Sequence, residues 1–544
     1  MIGGRRLGSA LRAGRLLATI ARQSGVITAS AARGAIALAR DPGALPAGPT
    51  RIAALHARAD GTRLALAGAD QRLDYAALDE RLNRIASALA ALGVGPGDRV
   101  ALVLANRPEG IAIPWAASRL GAIVVPLSWR ARPAELAHAF AHSSTRLVIH
   151  EPSLADVVAE GARGLTPAPR TIALGPELDL LIARGDPRPP HTAGAGDGGL
   201  IVYTSGTTGR PKGARRSLGT AFFTPLLDLV ARVGFTRDDR QLVVCPLYHS
   251  APPAIASITL GLGGAVHVAP SADPEEILAT IARERITGMF VVPTLLQRLL
   301  ALPDAARARH DPTSLRWILS GAAPLPTDVA RRTEASFGPI LWNFYGATET
   351  GLVTLAGPGE HGARPGTIGR ALADVDVRLL DEHGHDVAPG EVGALAVKSG
   401  MLADGYHADA DATRAATTAG YFTVGDLARR DVDGFLYLAG RAHDLVISGG
   451  VNVYPLEIEN RLHEHPDVFE AAVVGVPDPD WGEALHAFVV ARPGRPRPEP
   501  DALRAFCRET LASYKVPKRV SFLDALPRNP TGKVLKRELT VPVV

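Results

Sequence analysis

From residue 73 to about residue 320 the chain alternates short apolar runs with amphipathic stretches, a pattern that folds into parallel α/β sheets. Leu78, Leu82, Ile85 and Leu89 recur at three- and four-residue spacing and predict a helix from Tyr75 to Leu92. The turn Gly93–Asp98 follows, then a buried strand from Arg99 to Leu104 and a second from Ala122 to Leu127. Further apolar runs fall at 146–149, 200–203, 241–245, 288–292 and 316–319. Near residue 365 the texture changes. Val375–Leu380, Gly393–Val397 and Phe435–Leu438 read as short strands joined by Gly, Pro and Asp turns, hence an antiparallel sheet or small β-barrel. Beyond Gly440-Arg441 the pattern predicts a helix from Pro455, strands at 470–475 and 485–491, and a helix at 501–512.

The expected fold class is therefore α/β: a large N-terminal domain of parallel α/β subdomains plus a small β-barrel, with a small α+β C-terminal domain. The predicted divisions are 1–48, 49–440 and 441–544. A chain of 544 residues is too long for one core. Residues 1–48 are rich in Ala, Arg and Gly and close on Asp41-Pro42-Gly43. Leu7, Leu11, Leu16 and Leu17 do not separate onto a face opposite Arg5, Arg12 and Arg15, so a loosely packed or disordered extension is expected, with a transit peptide or weak association to a membrane surface as the alternatives.

Composition narrows the function classes. No run of 18 apolar residues occurs, which argues against a transmembrane helix. The net charge is +4, and residues 1–40 carry seven Arg and no acid, so the remainder sums to about −3 and a nucleic-acid partner is not expected. Two cysteines, Cys245 and Cys507, provide neither a disulfide framework nor a zinc cluster and suit a reducing, cytoplasmic setting. Only six of 59 basic residues are Lys. A Lys retained against such an Arg bias marks a need for a compact, flexible ammonium, and Lys212 and Lys533 both sit in Gly-containing loops.

The strongest local signal is Tyr203-Thr204-Ser205-Gly206-Thr207-Thr208-Gly209-Arg210-Pro211-Lys212-Gly213, directly after the apolar run Leu200–Val202. Gly206 and Gly209 permit backbone shapes that expose successive N–H groups, four hydroxyls add donors, and Lys212 adds positive charge. Together they form a cradle for a polyphosphate. The spacing differs from a Walker A loop.

This stretch resembles the phosphate loop of the acyl-adenylate-forming superfamily, which includes acyl-CoA synthetases, peptide-synthetase adenylation domains and firefly luciferase. The likeness recurs in order over about residues 50–540: Leu73-Asp74-Tyr75 near the start, Asn343-Phe344-Tyr345-Gly346-Ala347-Thr348-Glu349, Tyr421-Phe422-Thr423-Val424-Gly425-Asp426, Gly440-Arg441-Ala442-His443-Asp444, and Asn529-Pro530-Thr531-Gly532-Lys533. The resemblance implies ATP, Mg2+ and coenzyme A as cofactor and co-substrates, and a small-molecule carboxylic acid as substrate. It implies that Tyr345 stacks on the adenine, that Asn343 bonds the base edge and that Gly321, Ala322 and Ala323 approach its other side. It places Glu349 on magnesium, Asp426 and Arg441 on the ribose, and Lys533 across the substrate carboxylate and the α-phosphate, with Thr204 beside the reacting groups. The C-terminal domain is implied to be mobile about a hinge at His443, where the family usually carries Asp or Lys, and Gly449 and Gly450 to line the thiol tunnel.

Pro246-Leu247-Tyr248-His249-Ser250 resembles the family's segment at the mouth of the acyl pocket, with Tyr248, His249 and Gly346 near the substrate. The following Ala251-Pro252-Pro253-Ala254-Ile255 carries no charge, whereas members that activate α-amino acids place an Asp at the end of this segment. An uncharged acid is expected, because a lone ammonium in an apolar pocket is costly. Medium- and long-chain fatty acids come first, with aryl, arylpropenoic and small branched acids open. The related fatty-acyl-AMP ligases carry an extra inserted motif in the N-terminal part. The uninterrupted spacing from Glu349 through Gly369-Arg370 to Asp426 resembles the members without it, which implies coenzyme A rather than a carrier protein as acceptor. The oligomeric state is not fixed by the sequence.

Overall fold

Helix Tyr75–Ala91 shows how the pattern becomes structure. The Asp74 carboxylate accepts the Ala77 amide proton at 2.8 Å and caps the helix. Leu78, Leu82, Ile85 and Leu89 are buried, each burial contributing about 1.5–3 kcal/mol. Tyr75 donates from its hydroxyl to the carbonyls of Leu260 and Gly264 at 2.9 and 2.7 Å, so the Leu73-Asp74-Tyr75 segment anchors the fold rather than the chemistry. The computed structural model describes residues 2–26, 28, 50–190, 198–204, 212–216, 223–528 and 534–539; the side chains of 2–7, 204 and 223 are outside that description.

Among the described residues two sheets carry most of the chain. One has Ile123–Leu127, Arg99–Val103, Leu147–His150 and Arg170–Ala173 in parallel, with Gly199–Thr204 beside Ile123–Leu127. The other runs Leu341–Ala347, Trp317–Ser320, Gly288–Val291, Arg240–Val243, Ala265–Val268 and Leu64–Ala67, all parallel. Both lie where the apolar runs predict strands, and helices cover their faces, as parallel sheets require.

The antiparallel unit expected as a small barrel contains Asp376–Leu380, Val392–Lys398, Tyr421–Arg430, Leu436–Arg441 and Thr367–Ala371 in that hydrogen-bonded order. Its ladder continues through Gly351–Ala356 into the second parallel sheet. The last part of the chain has its own sheet, in which Val468–Asp478 and Gly482–Ala491 form a long hairpin, and its own core around Ile458, Leu462, Val473, Val489 and Leu503.

The N-terminal helix Ile2–Gln23 corrects the loosely packed reading for that part of the extension, and residues 29–48 lie outside the described residues. Ser9, Ala13, Leu16 and Ile20 form its inner stripe, and Ile20 joins the core of Leu229, Val230 and Val233. The stripe joins two small residues to Leu16 and Ile20, whereas Leu11 and Leu17 are exposed, so the leucines alone do not mark the helix's inner face. Arg12 Nε donates to Asp374 at 2.7 Å and fixes the helix to the antiparallel unit.

Candidate active site

The carboxyl ends of the second parallel sheet open onto a cavity of about 3250 Å3, the usual position for a ligand in an open α/β sheet. Ser320 and Asn343 are register partners on adjacent strands, and both are buried. Among the described residues Ser320 Oγ and Asn343 Oδ1 have no hydrogen-bond partner, although burial normally demands one. Asn343 faces the cavity and can accept from an exocyclic amine, as an adenine would require.

Backbone shape completes this wall. Ala322 and Ala323 line the cavity, and Ala322 holds φ of 68°, an uncommon conformation for a residue with a Cβ. A Cβ at Gly321 would stand 2.7 Å from the Phe344 ring, so glycine is needed for that ring to pack beneath the turn and against Phe290. Phe344, Tyr345, Gly346 and Thr348 also reach the cavity wall. A Cβ at Gly346 would lie 2.1 Å from the Gly351 carbonyl, so the tight entry into the Glu349 turn excludes any larger residue.

Tyr345 donates its hydroxyl proton to Asp426 Oδ2 at 2.6 Å, and Arg441 Nε meets Asp426 Oδ1 at 3.0 Å. Burial, followed by the Asp426 charge, holds the Tyr345 phenol well above its usual pKa, so it stays a donor. Asp426 and Arg441 lie opposite each other on paired strands. The carboxylate is thus pre-oriented to accept further hydrogen bonds from a diol.

Glu349 is buried and lines the same cavity. Tyr406 donates to Glu349 Oε1 at 3.4 Å, while Lys212 Nζ lies 5.0 Å from the centre of the Tyr406 ring. Arg216 donates to the carbonyls of Met401, at 2.7 Å, and Thr348, and so fixes the backbone beside Glu349. Burial pulls the Arg216 pKa down and the Glu349 charge opposes that pull. One acidic oxygen pair with no second carboxylate cluster among the described residues suits a hard cation whose other ligands are phosphate and water oxygens.

Sequence reasoning missed Arg216 and Tyr406. Strand alternation supplied a signal for the first: within Lys212–Arg216, Arg215 is exposed and Arg216 points in. Tyr406 reaches the site through the short strand Gly405–Tyr406, which pairs with Ala214 and Arg215.

Antiparallel pairing sets Thr204 opposite Lys212, so the two ends of the phosphate-type loop meet at the cavity beside Glu349's neighbours. Ser205, Gly206, Thr207, Thr208 and Gly209 lie outside the described residues, as does the Thr204 side chain. Lys533 and the rest of Asn529–Lys533 do too. The flanking Arg528 and Val534 line the cavity, together with His443 and Asp444. His443 is half-exposed, with Nε2 3.5 Å from Asp444 Oδ1, and Lys536 links Asp444 to Glu459 at 3.8 and 2.7 Å. Gly449 and Gly450 form the tip of the hairpin Val446–Ser448 and Val451–Val453, with Gly449 against the Trp481 ring and Gly450 in open space.

Tyr248 and His249 follow strand Arg240–Val243 and line the cavity with ring centres 4.4 Å apart. Burial raises the Tyr248 phenol pKa. Helix Ala251–Gly261 continues the wall with Ala251, Ala254, Ile255 and Ile258. Cys245 and Cys507 are buried free thiols whose pKa values burial pushes up to about 12 and about 11, so neither is a nucleophile.

Comparison with known proteins agrees with this geometry. Residues 54–407 match the model of the AMP-binding enzyme family and residues 457–533 that of the AMP-binding enzyme C-terminal domain. A feruloyl-CoA synthase from Amycolatopsis sp is 39% identical over 86% of this chain and 93% of that protein. The long-chain-fatty-acid–CoA ligase FadD13 of Mycobacterium tuberculosis is 32% identical over 86% of this chain and 93% of its own length. The solved structure of the anthranilate CoA ligase AuaEII in complex with anthranoyl-AMP superposes with a TM-score of 0.84 at 25% identity, covering 91% of this chain and 97% of that one.

Proposed function

As a member of the AMP-binding enzyme family, the chain is an ATP-dependent, AMP-forming acid–CoA ligase, and we propose that the acid it activates is a medium- or long-chain fatty acid. The observation that carries the substrate assignment is the wall beyond His249. From Ser250 to Leu262 the chain supplies no Asp, Glu, Lys or Arg, and Ala251, Ile255, Ile258 and Leu262 face the cavity. A charged or amino-substituted acid would lose its hydration there without a partner.

The first half-reaction joins a carboxylate oxygen to the α-phosphorus of ATP and releases pyrophosphate. Asn343, Tyr345 and the Gly321–Ala323 turn are assigned to the adenine, Asp426 and Arg441 to the ribose hydroxyls, and residues 204–209 with Lys212 to the phosphates. Glu349 is assigned to Mg2+, which would neutralise phosphate charge. Lys533 is assigned to the oxygens that gain charge in the transition state. In the second half-reaction the coenzyme A sulfur attacks the acyl carbon and AMP leaves. A division at Gly440-Arg441, between an N-terminal domain at 49–440 and a C-terminal domain at 441–544, would let that domain pivot at His443 and bring Gly449 and Gly450 to the thiol path.

The feruloyl-CoA synthase relative favours a second reading, an aryl or arylpropenoic acid packed on the Tyr248–His249 rings. The deciding experiment is a panel of alkanoic, benzoic and arylpropenoic acids assayed for AMP release with and without coenzyme A. Highest kcat/KM for alkanoic acids of eight or more carbons (roughly, by pocket size) supports the first reading; preference for ring acids overturns it. Thioester appearing only with an acyl-carrier protein would assign the acceptor differently.

No described helix is long and apolar enough to cross a membrane. The exposed Leu11 and Leu17 beside the exposed Arg15 and Arg22 favour weak attachment of a cytoplasmic enzyme to an anionic bilayer surface. Co-sedimentation with anionic vesicles, absent for Leu11→Ser/Leu17→Ser, tests it.

A further inference from the structure

We propose that the N-terminal helix Ile2–Gln23 forms the far wall of the acyl channel and sets the length of acid the enzyme accepts. This rests on the acid-ligase reading of the site. The helix lies outside the residues 54–407 that match the family model, so nothing in the family assignment gives it a role.

The cavity that holds the nucleotide wall at one end is bordered by Leu17, Ile20 and Ala21 of this helix. Between the two stand helix Ala251–Gly261 and helix Phe223–Val233. The first contributes Ala251, Ile255, Ile258 and, just past its end, Leu262; the second contributes Leu226, Leu227 and Val230. Ala251, Ile255, Ile258 and Leu262 follow one another at four-, three- and four-residue spacing, so they form a single stripe. At a rise of 1.5 Å per residue that stripe spans about 16 Å, leading away from Tyr248 and His249. Such a length exceeds what a short acid needs and suits an extended acyl tail.

The N-terminal helix borders the same cavity as this stripe. Ile20 belongs to one buried cluster with Ile255, Ile258, Leu229 and Val230, and the N-terminal helix packs directly on helix Phe223–Val233. Ala21 is half-buried and Leu17 is exposed over 54% of its surface, which puts Ala21 on the inner lip and Leu17 toward the opening. A bulky side chain introduced at Ala21 would obstruct the lip. The wall is held from the opposite side by Arg12 on Asp374, an attachment that does not involve the cavity.

The test compares wild type with Ala21→Phe and Arg12→Asp in the full chain, using two homologous series: straight-chain alkanoates, and benzoates with para-alkoxy tails of increasing length. Pyrophosphate release and thioester formation are both read. Ala21→Phe is expected to lower kcat/KM at least tenfold for the longest accepted acid of a series and less than twofold for the shortest. Arg12→Asp, which puts two carboxylates together and loosens the helix, is expected to broaden the length profile. Circular dichroism and melting temperature show whether Ala21→Phe remains folded; if it does not, Ala21→Leu is read in its place. Equal effects on all lengths, or none on any, overturn the proposal. The wild-type preference between the series judges the fatty-acid reading alone, because the length dependence of the variant-to-wild-type ratio is measured within each series.

Discussion

The hydroxyl of Tyr345 hydrogen-bonds Asp426 at 2.6 Å across 81 residues of sequence, while Arg441 holds the other oxygen of the same carboxylate at 3.0 Å. A residue expected only as a stacking surface therefore also positions the acid expected to receive the ribose. Tyr345→Phe keeps the aromatic face and deletes the donor. A hydrogen bond to a charged group contributes about 1.5–3 kcal/mol, so kcat/KM for ATP should fall by about 10- to 100-fold. Nucleotide titration with pyrophosphate release checks it; an unchanged KM for ATP would show that the ring alone matters.

Lys533→Ala should remove most adenylate formation, on the order of 10²-fold or more in rate, and leave thioester formation from pre-made acyl-adenylate close to wild type. Single-turnover assays of the two half-reactions separate these. Equal loss in both would remove Lys533 from the first step.

His443 sits in the single turn Ala442–Asp444 between the antiparallel unit and the last sheet. His443→Pro fixes one backbone angle there. Acid-dependent pyrophosphate exchange should persist while overall turnover with coenzyme A falls at least tenfold, on the scale of a lost conformational step. Unchanged turnover would move the pivot elsewhere.

His267 is buried on the strand Ala265–Val268, and burial lowers its pKa to about 4 despite Glu284 at 3.7 Å. The unfolded chain binds this proton near pH 6.5, the folded chain only near pH 4. Stability is thus full above 6.5 and is lost as pH falls through that window, by up to about 3 kcal/mol. Urea unfolding at pH 7, 5.5 and 4.5 should show a fall that His267→Gln reduces. A parallel fall in both proteins would place the sensitivity in other groups.

Much of the large-scale order was legible because hydrophobic periodicity reports burial directly. The strands at 240–243, 288–291 and 317–320 and the helix Tyr75–Ala91 lie within a few residues of their apolar runs. The strand Tyr421–Arg430 was harder to see, since only Phe422, Asp426 and Ala428 on it are buried, and the apolar Val424 and Leu427 lie out of step with each other on a period of two. Motif residues such as Asn343 and Glu349 could be named, but not that Ser320 lies beside Asn343, or that Arg216 and Tyr406 brace Glu349. Those relations come from strand register and from a return of the chain at Gly405–Tyr406, and neither leaves a local trace in composition.

Arg12 finds Asp374 only after 362 further residues have been made. At about 5–20 residues per second of synthesis, the first helix would wait roughly 20–70 s for its docking partner. Through that interval the helix Ile2–Gln23 lacks the ion pair that fixes it to the antiparallel unit. Closing that contact is therefore one of the later events of synthesis, a matter of timing as much as of stability.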